Sequence, residues 1–213
     1  MISVIKLGGS LMKKAADITD HLADEFSDEK ILIVPGGGMF ADSIRSVSRQ
    51  YSIDRESSHW MAILAMEQYA YYLIDKTDIN YTESLHNISE GVSVLLPYLA
   101  VRKLEQNEQK PELPHTWDVT SDSITAWFSY ILGCREFIKA TSVDGIYVRD
   151  RPVPEITAPY LKSLESSCTD NYLPTFLEKT GISCIVVNGN HPERISGAIK
   201  GIDVEGTVIR ARI

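Results

Sequence analysis

Cysteine is scarce in this chain, and what there is does not pair up: Cys134, Cys168 and Cys184 are far apart, odd in number and without a C-x-x-C spacing. That pattern indicates neither a disulfide framework nor a cysteine zinc centre, and it favours reduced thiols in a cytosolic protein. Long apolar runs are lacking too, so no segment has the length of a membrane span. The chain starts directly on a strand pattern, which leaves no room for a signal peptide. Positive charge is in deficit, with 21 lysines and arginines against 29 aspartates and glutamates, a formal net charge of −8. General nucleic-acid affinity is not expected at that balance, although a local basic site for phosphate is compatible with it. Internal repeats and low-complexity tracts are missing. The 213 residues suffice for one sizeable domain, taken as 1–213, or a domain with a small lobe.

What is present begins at once. Ile2-Ser-Val-Ile-Lys-Leu-Gly-Gly-Ser10 is a short apolar run, rich in β-branched residues, that ends in a lysine and two glycines. It reads as a buried strand running into a turn. Gly8 and Gly9 lack Cβ, so their backbone can approach another group closely. Successive N–H groups in such a turn bind anions, and Lys6 would add a full positive charge beside a phosphate. Taken alone, Lys-x-Gly-Gly equally describes a strand ending in a glycine turn with a surface lysine. The pattern then recurs. Ile31-Leu-Ile-Val-Pro-Gly-Gly-Gly38 is a second buried strand ending in glycines, followed by helical spacing over residues 39–51. Parallel strands put both glycine turns on one sheet edge, where open α/β sheets bind ligands. Two such turns and one lysine suit a site for two phosphate-bearing groups, the geometry of a phosphoryl transferase.

The remaining pattern alternates helices with strands, which predicts an α/β sheet between helical layers. Residues 11 to about 26 read as a helix, with Lys13 and Lys14 in its first turn and within reach of a phosphate. Residues 57–75 form a helix apolar almost all round, capped by Ser57 or Ser58 and central to the core or to a dimer interface. His59 at its start could meet an acceptor phosphate or be a hydrogen-bonded structural histidine. Residues 92–97 look like a strand. Residues 103–114 are polar and proline-bounded, which favours a solvated loop over a mobile lid. Trp117-Asp-Val-Thr-Ser-Asp122 leads into a helix over 123–132, and capping explains only one residue of its polar cluster. From there Asp122 could hold Lys6, and Asp118 could meet a polar or cationic part of a substrate. Further strands are expected at 136–141, 182–187 and 206–210, with helices at 172–180 and 193–199 and a turn at Asp144-Gly145.

The series Lys6-Leu-Gly-Gly-Ser10, Pro35-Gly-Gly-Gly38, Thr120-Ser-Asp122, Lys139-Ala-Thr-Ser-Val-Asp-Gly-Ile-Tyr147, Val187-Asn-Gly189 and Gly206-Thr207 resembles the amino acid kinase family over nearly the full chain. The resemblance implies an open αβα sandwich with a mainly parallel central sheet, often dimeric, that moves the γ-phosphoryl of ATP to a carboxylate, carbamate or phosphate. Segments 59–69, 117–123 and 187–194 are most similar to the archaeal methanofuran-biosynthesis branch, which converts 5-(aminomethyl)-3-furanmethanol phosphate to its diphosphate. The alternatives are another phosphate-acceptor kinase, such as an isopentenyl phosphate kinase, or a nucleotide-binding storage protein on the same fold.

The resemblance also implies roles. Lys6 and Asp122 would be catalytic. Gly8, Gly9, Ser10, Lys139, Thr141, Asp144, Gly145 and Tyr147 would bind ATP. Gly36, Gly37, Gly38, Asp42, His59, Trp117, Asp118 and Thr120 would bind the small-molecule acceptor. Mg2+ would bridge the ATP phosphates largely through water, and no residue is assigned to a metal. Two departures stand out. The second catalytic lysine that acetylglutamate kinases carry before the late helix is missing over 166–174, leaving Lys139 or Lys13 for that role. Asp42 follows the triple glycine where isopentenyl phosphate kinases have a histidine, and a carboxylate there suits an acceptor carrying an ammonium.

Overall fold

A computed structural model describes residues 2–106, 111–164 and 168–212. The chain opens with β1 (Ile2–Leu7), a 3-10 turn (Gly9–Lys14), α1 (Ala15–Glu25), β2 (Lys30–Pro35), α2 (Gly38–Tyr51) and α3 (Arg55–Lys76). It continues through β3 (Asn80–Thr82), β4 (Gly91–Leu95), α4 (Pro97–Glu105), α5 (Ser121–Ile131) and β5 (Glu136–Thr141). A small hairpin of β6 (Tyr147–Val148) and β7 (Arg151–Pro152) precedes β8 (Glu155–Thr157), α6 (Ala158–Ser163) and α7 (Leu173–Thr180). The last elements are β9 (Ser183–Asn188), α8 (Pro192–Ile199) and β10 (Gly206–Arg210).

The eight-stranded sheet has the order β3-β4-β2-β1-β5-β9-β10-β8. Every pairing in it is parallel except β10 with β9. The expected mainly parallel sheet between helical layers is therefore present. Its central strands β2, β1 and β5 are largely apolar on both faces, as parallel strands covered by helices must be. Alternation sorts the side chains. Val4, Leu32, Val34 and Phe137 pack with α5 and α7 on one face, whereas Ile5, Leu7, Ile31, Ile33 and Ile138 pack with α1 and α8 on the other. Helix α3 contributes Ile63 and Met66 to the first core and Tyr69, Ala70 and Leu73 to the second. Serving two cores explains why it is apolar almost all round, although Leu64 and Tyr71 stay exposed.

Several sequence expectations shift here. Residues 11–14 are not α-helical but belong to the 3-10 turn, which leaves Lys13 and Lys14 exposed in its last turn. The cap of α3 is Asp54, whose carboxylate accepts from the Ser57 N–H at 2.9 Å, rather than Ser57 or Ser58. The stretch expected as a loop from 103 begins inside α4, since Val101 and Leu104 are buried and carry the helix to Glu105. The rest of that stretch includes 107–110, which lies outside the described residues. No described helix is long and apolar enough to cross a membrane.

Candidate active site

Strand period places the two lysines. Lys6 lies two residues beyond Val4, and Lys139 two beyond Phe137, so both side chains leave the sheet on the α5 face. β1 and β5 are neighbours, and Lys6 and Lys139 are register partners. The first turn of α5 meets them there. Asp122 Oδ1 takes Lys6 Nζ at 2.9 Å and Lys139 Nζ at 2.5 Å, with all three residues buried. Its other oxygen accepts the Asp170 N–H at 3.1 Å. Burial alone would push the Asp122 carboxyl up, yet Lys139 and Lys6 together hold it well below the usual carboxylate range. Burial alone would lower Lys139, but Asp122 raises it. Burial wins at Lys6, which is lowered, with Lys139 adding to the effect. Two lysines against one carboxylate make this centre a receptor for anions.

The glycine turns meet beside it. A Cβ on Gly9 would run into the backbone of Gly38, so the two turns touch only because Gly9 lacks a side chain, while Gly38 has a φ of +50, which favours glycine. Gly9→Ala is accordingly expected to cost about 1–3 kcal/mol, as overpacking does, and to lower turnover with it. Urea unfolding and a coupled ADP assay would show both effects. Gly8 and Gly36 hold the turns in place rather than presenting amides, because their N–H groups already donate to Ala140 at 2.9 Å and Leu7 at 2.8 Å. The amides at the starts of the 3-10 turn and α2, from Gly9, Ser10, Gly37 and Gly38, are the ones without a preceding turn to serve.

These groups open on a cleft of about 920 Å³. Lys6, Gly8, Gly9, Ser10, Gly36, Gly37, Gly38, Lys139 and Asp122 line it. On one side Thr141, Gly145 and Tyr147 complete the wall. Gly145 has φ +150, and a Cβ there would strike Thr207 Oγ1, so glycine is required. On the other side stand Asp42, His59, Trp117 and Thr120. Asp144 and Asp118 are not in the lining. Asp144 accepts from Asn188 at 2.9 Å and Arg194 at 2.7 Å, and Asp118 accepts from Asn171 at 2.9 Å, so both serve their loops. Lys13 and Lys14 are also outside the lining. Asp42 is exposed and paired with Arg45 at 2.9 Å. His59 is buried and stacks on His115 at 4.3 Å, and burial first, then the His115 charge, lowers it to about 4.

Asp170, Arg45 and Asn171 are among the lining residues that escaped sequence reasoning. Asp170 takes the Thr120 and Ser123 N–H groups at 2.8 and 2.9 Å and the Leu173 N–H at 2.9 Å, binding α5 to α7. It also takes both hydroxyls, which accounts for Thr120 in the polar cluster, as the two lysines account for Asp122. Burial and the Asp122 charge raise its carboxyl. Arg45 lies over the Trp117 ring at 5.0 Å, and Asn171 lies next to Asp170. The only signal for Asp170 was its place just ahead of a proline-bearing helix start.

Comparison with known proteins identifies the fold and the family. A kinase from Methanocaldococcus jannaschii, the [5-(aminomethyl)furan-3-yl]methyl phosphate kinase, is 31% identical over 208 residues, 93% of each chain. A uridylate kinase from Methanothermobacter thermautotrophicus is 28% identical over 97% of this chain and 98% of its own. Among solved structures, the uridylate kinase of Archaeoglobus fulgidus superposes with a TM-score of 0.68 at 21% identity, covering 98% of this chain and all of that one. The UMP kinase of Bacillus anthracis gives 0.71 at 15%, over 100% and 96%. The model of the amino acid kinase family matches residues 1–188. This chain belongs to the amino acid kinase family and is a phosphotransferase, with ATP as the donor that the family implies.

Proposed function

We propose that this chain uses ATP to phosphorylate 5-(aminomethyl)-3-furanmethanol phosphate to its diphosphate, a step of methanofuran biosynthesis, and that residues 1–213 act as one kinase domain. The reading is carried by the likeness to the M. jannaschii kinase along 93% of the chain. The chemistry of the cleft favours an acceptor that is already a phosphate. Among the described residues, each carboxylate lining the cleft has a partner: Asp42 has Arg45, Asp122 two lysines, Asp170 the start of α5. Asp122 and Asp170, held by lysines and by backbone amides, are not free to take a proton from a hydroxyl acceptor. A phosphate monoester needs no such base, since its attacking oxygen is largely ionised at pH 7.

ATP would lie on the Thr141, Gly145 and Tyr147 side, with its phosphates over Gly9 and Ser10. The acceptor phosphate would meet Gly37 and Gly38, with Trp117 as the aromatic wall for the furan ring and Asp42 near the aminomethyl group. Arg45 holds one Asp42 oxygen, so the ammonium would use the other. Lys6 and Lys139 would neutralise the phosphoryl group in flight, with Lys139 filling the second-lysine role. Such transfer is catalysed mainly by positioning and charge. Mg2+ fits here as an ion held by phosphates and water, because Asp122 and Asp170 are already committed to lysines and backbone amides; when bound, it would screen the charge between the phosphates.

Purified protein with ATP, Mg2+ and a panel of phosphorylated acceptors tests the reading through ADP release. Turnover with the aminomethylfuran phosphate supports it. Turnover confined to isopentenyl phosphate or UMP would move the acceptor to a sister kinase, and ATP binding without turnover would favour the storage reading. His59→Ala is expected to raise the acceptor KM about tenfold, the size of one lost charge-assisted hydrogen bond, with the KM for ATP unchanged. Unaltered acceptor kinetics would remove His59 from the site.

A further inference from the structure

Next to the acceptor wall stands a cluster that phosphoryl transfer leaves unexplained. His59 near the start of α3, Glu105 at the end of α4 and His115 ahead of α5 bring one ligand atom each to within 4.8 Å of one another. Only His59 of the three lines the cleft. We propose that His59, Glu105 and His115 form a binding site for a zinc-like transition-metal ion that fastens α3, α4 and the segment ahead of α5 behind the acceptor wall.

The donor set is the first argument. Two imidazoles and a carboxylate make a three-residue ligand set that leaves a fourth position for water, and nitrogen donors select zinc, cobalt or nickel over magnesium. The second argument is the support around His115. Its Nδ1 lies 2.5 Å from Glu56 Oε2, while its Nε2 lies 2.7 Å from Glu105 Oε1. A metal-bound histidine typically gives its other N–H to a carboxylate. Glu56 fills that place and is itself held through Oε1 by the Trp60 indole N–H at 2.7 Å. Tetrahedral ligands about 2.1 Å from a metal stand roughly 3.4 Å apart. The His115–Glu105 pair would have to open slightly, and the His59 ring, stacked on His115 at 4.3 Å with 11° between the planes, would have to turn so that both imidazoles aim at one ion. Charge is the third argument: Glu56 and Glu105 balance a dication bound by two neutral imidazoles.

The test needs no kinase activity. Metal-stripped wild-type protein, free of nucleotide, is titrated with Co2+ and read by its visible d–d absorption, and then with Zn2+ by calorimetry. The expected result is one equivalent of either ion, with a cobalt spectrum that Zn2+ displaces. Glu105→Gln, which keeps the side chain's size, and His115→Ala should each lose the spectrum, with far-UV circular dichroism confirming the fold. Glu56→Gln should keep the spectrum and weaken affinity about 10–100-fold, as loss of an outer-shell partner does. No stoichiometric cobalt spectrum in the wild type, or one that survives in Glu105→Gln or His115→Ala, overturns the proposal and leaves the cluster as a hydrogen-bonded clamp.

Discussion

Lys6→Ala should lower kcat for acceptor-dependent ADP release by about 10³-fold or more, the scale lost when a charge aimed at a transferring phosphoryl group is removed. The KM for ATP should change far less, because the backbone amides of the glycine turns and the Thr141–Tyr147 wall stay in place. The fold should survive. Asp122 keeps Lys139 at 2.5 Å and the Asp170 N–H at 3.1 Å, so no buried carboxylate is stranded. Lys6→Arg should not restore turnover. A planar guanidinium cannot fit where a single ammonium sits 2.9 Å from a buried carboxylate oxygen with a second lysine on the same atom. Steady-state kinetics with saturating acceptor decides the matter. A kcat within tenfold of wild type would mean that Lys139 alone supplies the charge and that Lys6 does not sit at the transfer point.

The first half of that centre was legible because it is local. A β-branched run followed by glycines says strand then turn whatever the rest of the chain does, and two such runs say that the turns share an edge. Asp122 was legible as a surplus polar residue at a helix start. Lys139 was visible as part of a nucleotide motif and, beside Lys13, as one of two candidates for the second-lysine role. Its place opposite Lys6 depends on β5 lying directly beside β1, with β2 on the other side, and sequence order does not encode that. Asp170 was harder still: three of its partners are backbone amides at the starts of α5 and α7, which leave no trace in residue type, and the two hydroxyls it takes lie 50 and 47 residues away in the chain. The 3-10 turn at Gly9–Lys14 escaped because Leu11, Ala15 and Ile18 keep helical spacing across it. His115 was lost in a polar stretch whose neighbours, Glu56 and Glu105, come from two other elements.

Asp122→Asn should be the most destabilising single change at the site. It leaves Lys6 and Lys139 buried against each other without a counter-charge, and breaking a buried pair by removing one partner costs about 3–5 kcal/mol. For a chain of this size that corresponds to a Tm lower by roughly 10 °C. Part of the loss is relieved if one lysine sheds its proton, since burial already lowers Lys6. The acid limb gives a second signature. The Asp122 carboxyl is pulled below its usual range in the folded protein, by Lys139 and Lys6 against the opposing push of burial. Its contribution is therefore complete above the unfolded carboxylate value of about 3.9 and disappears as the pH falls through the lower folded value. The gap in stability between wild type and Asp122→Asn should be constant near neutrality and narrow progressively below about pH 4. Chemical unfolding across pH, with the two proteins side by side, measures it. A gap that is small at pH 7, or that does not narrow in acid, would mean that Asp122 does not carry the charge balance of two buried lysines. Catalysis should fall along with stability, since the same carboxylate sets where both ammonium groups point.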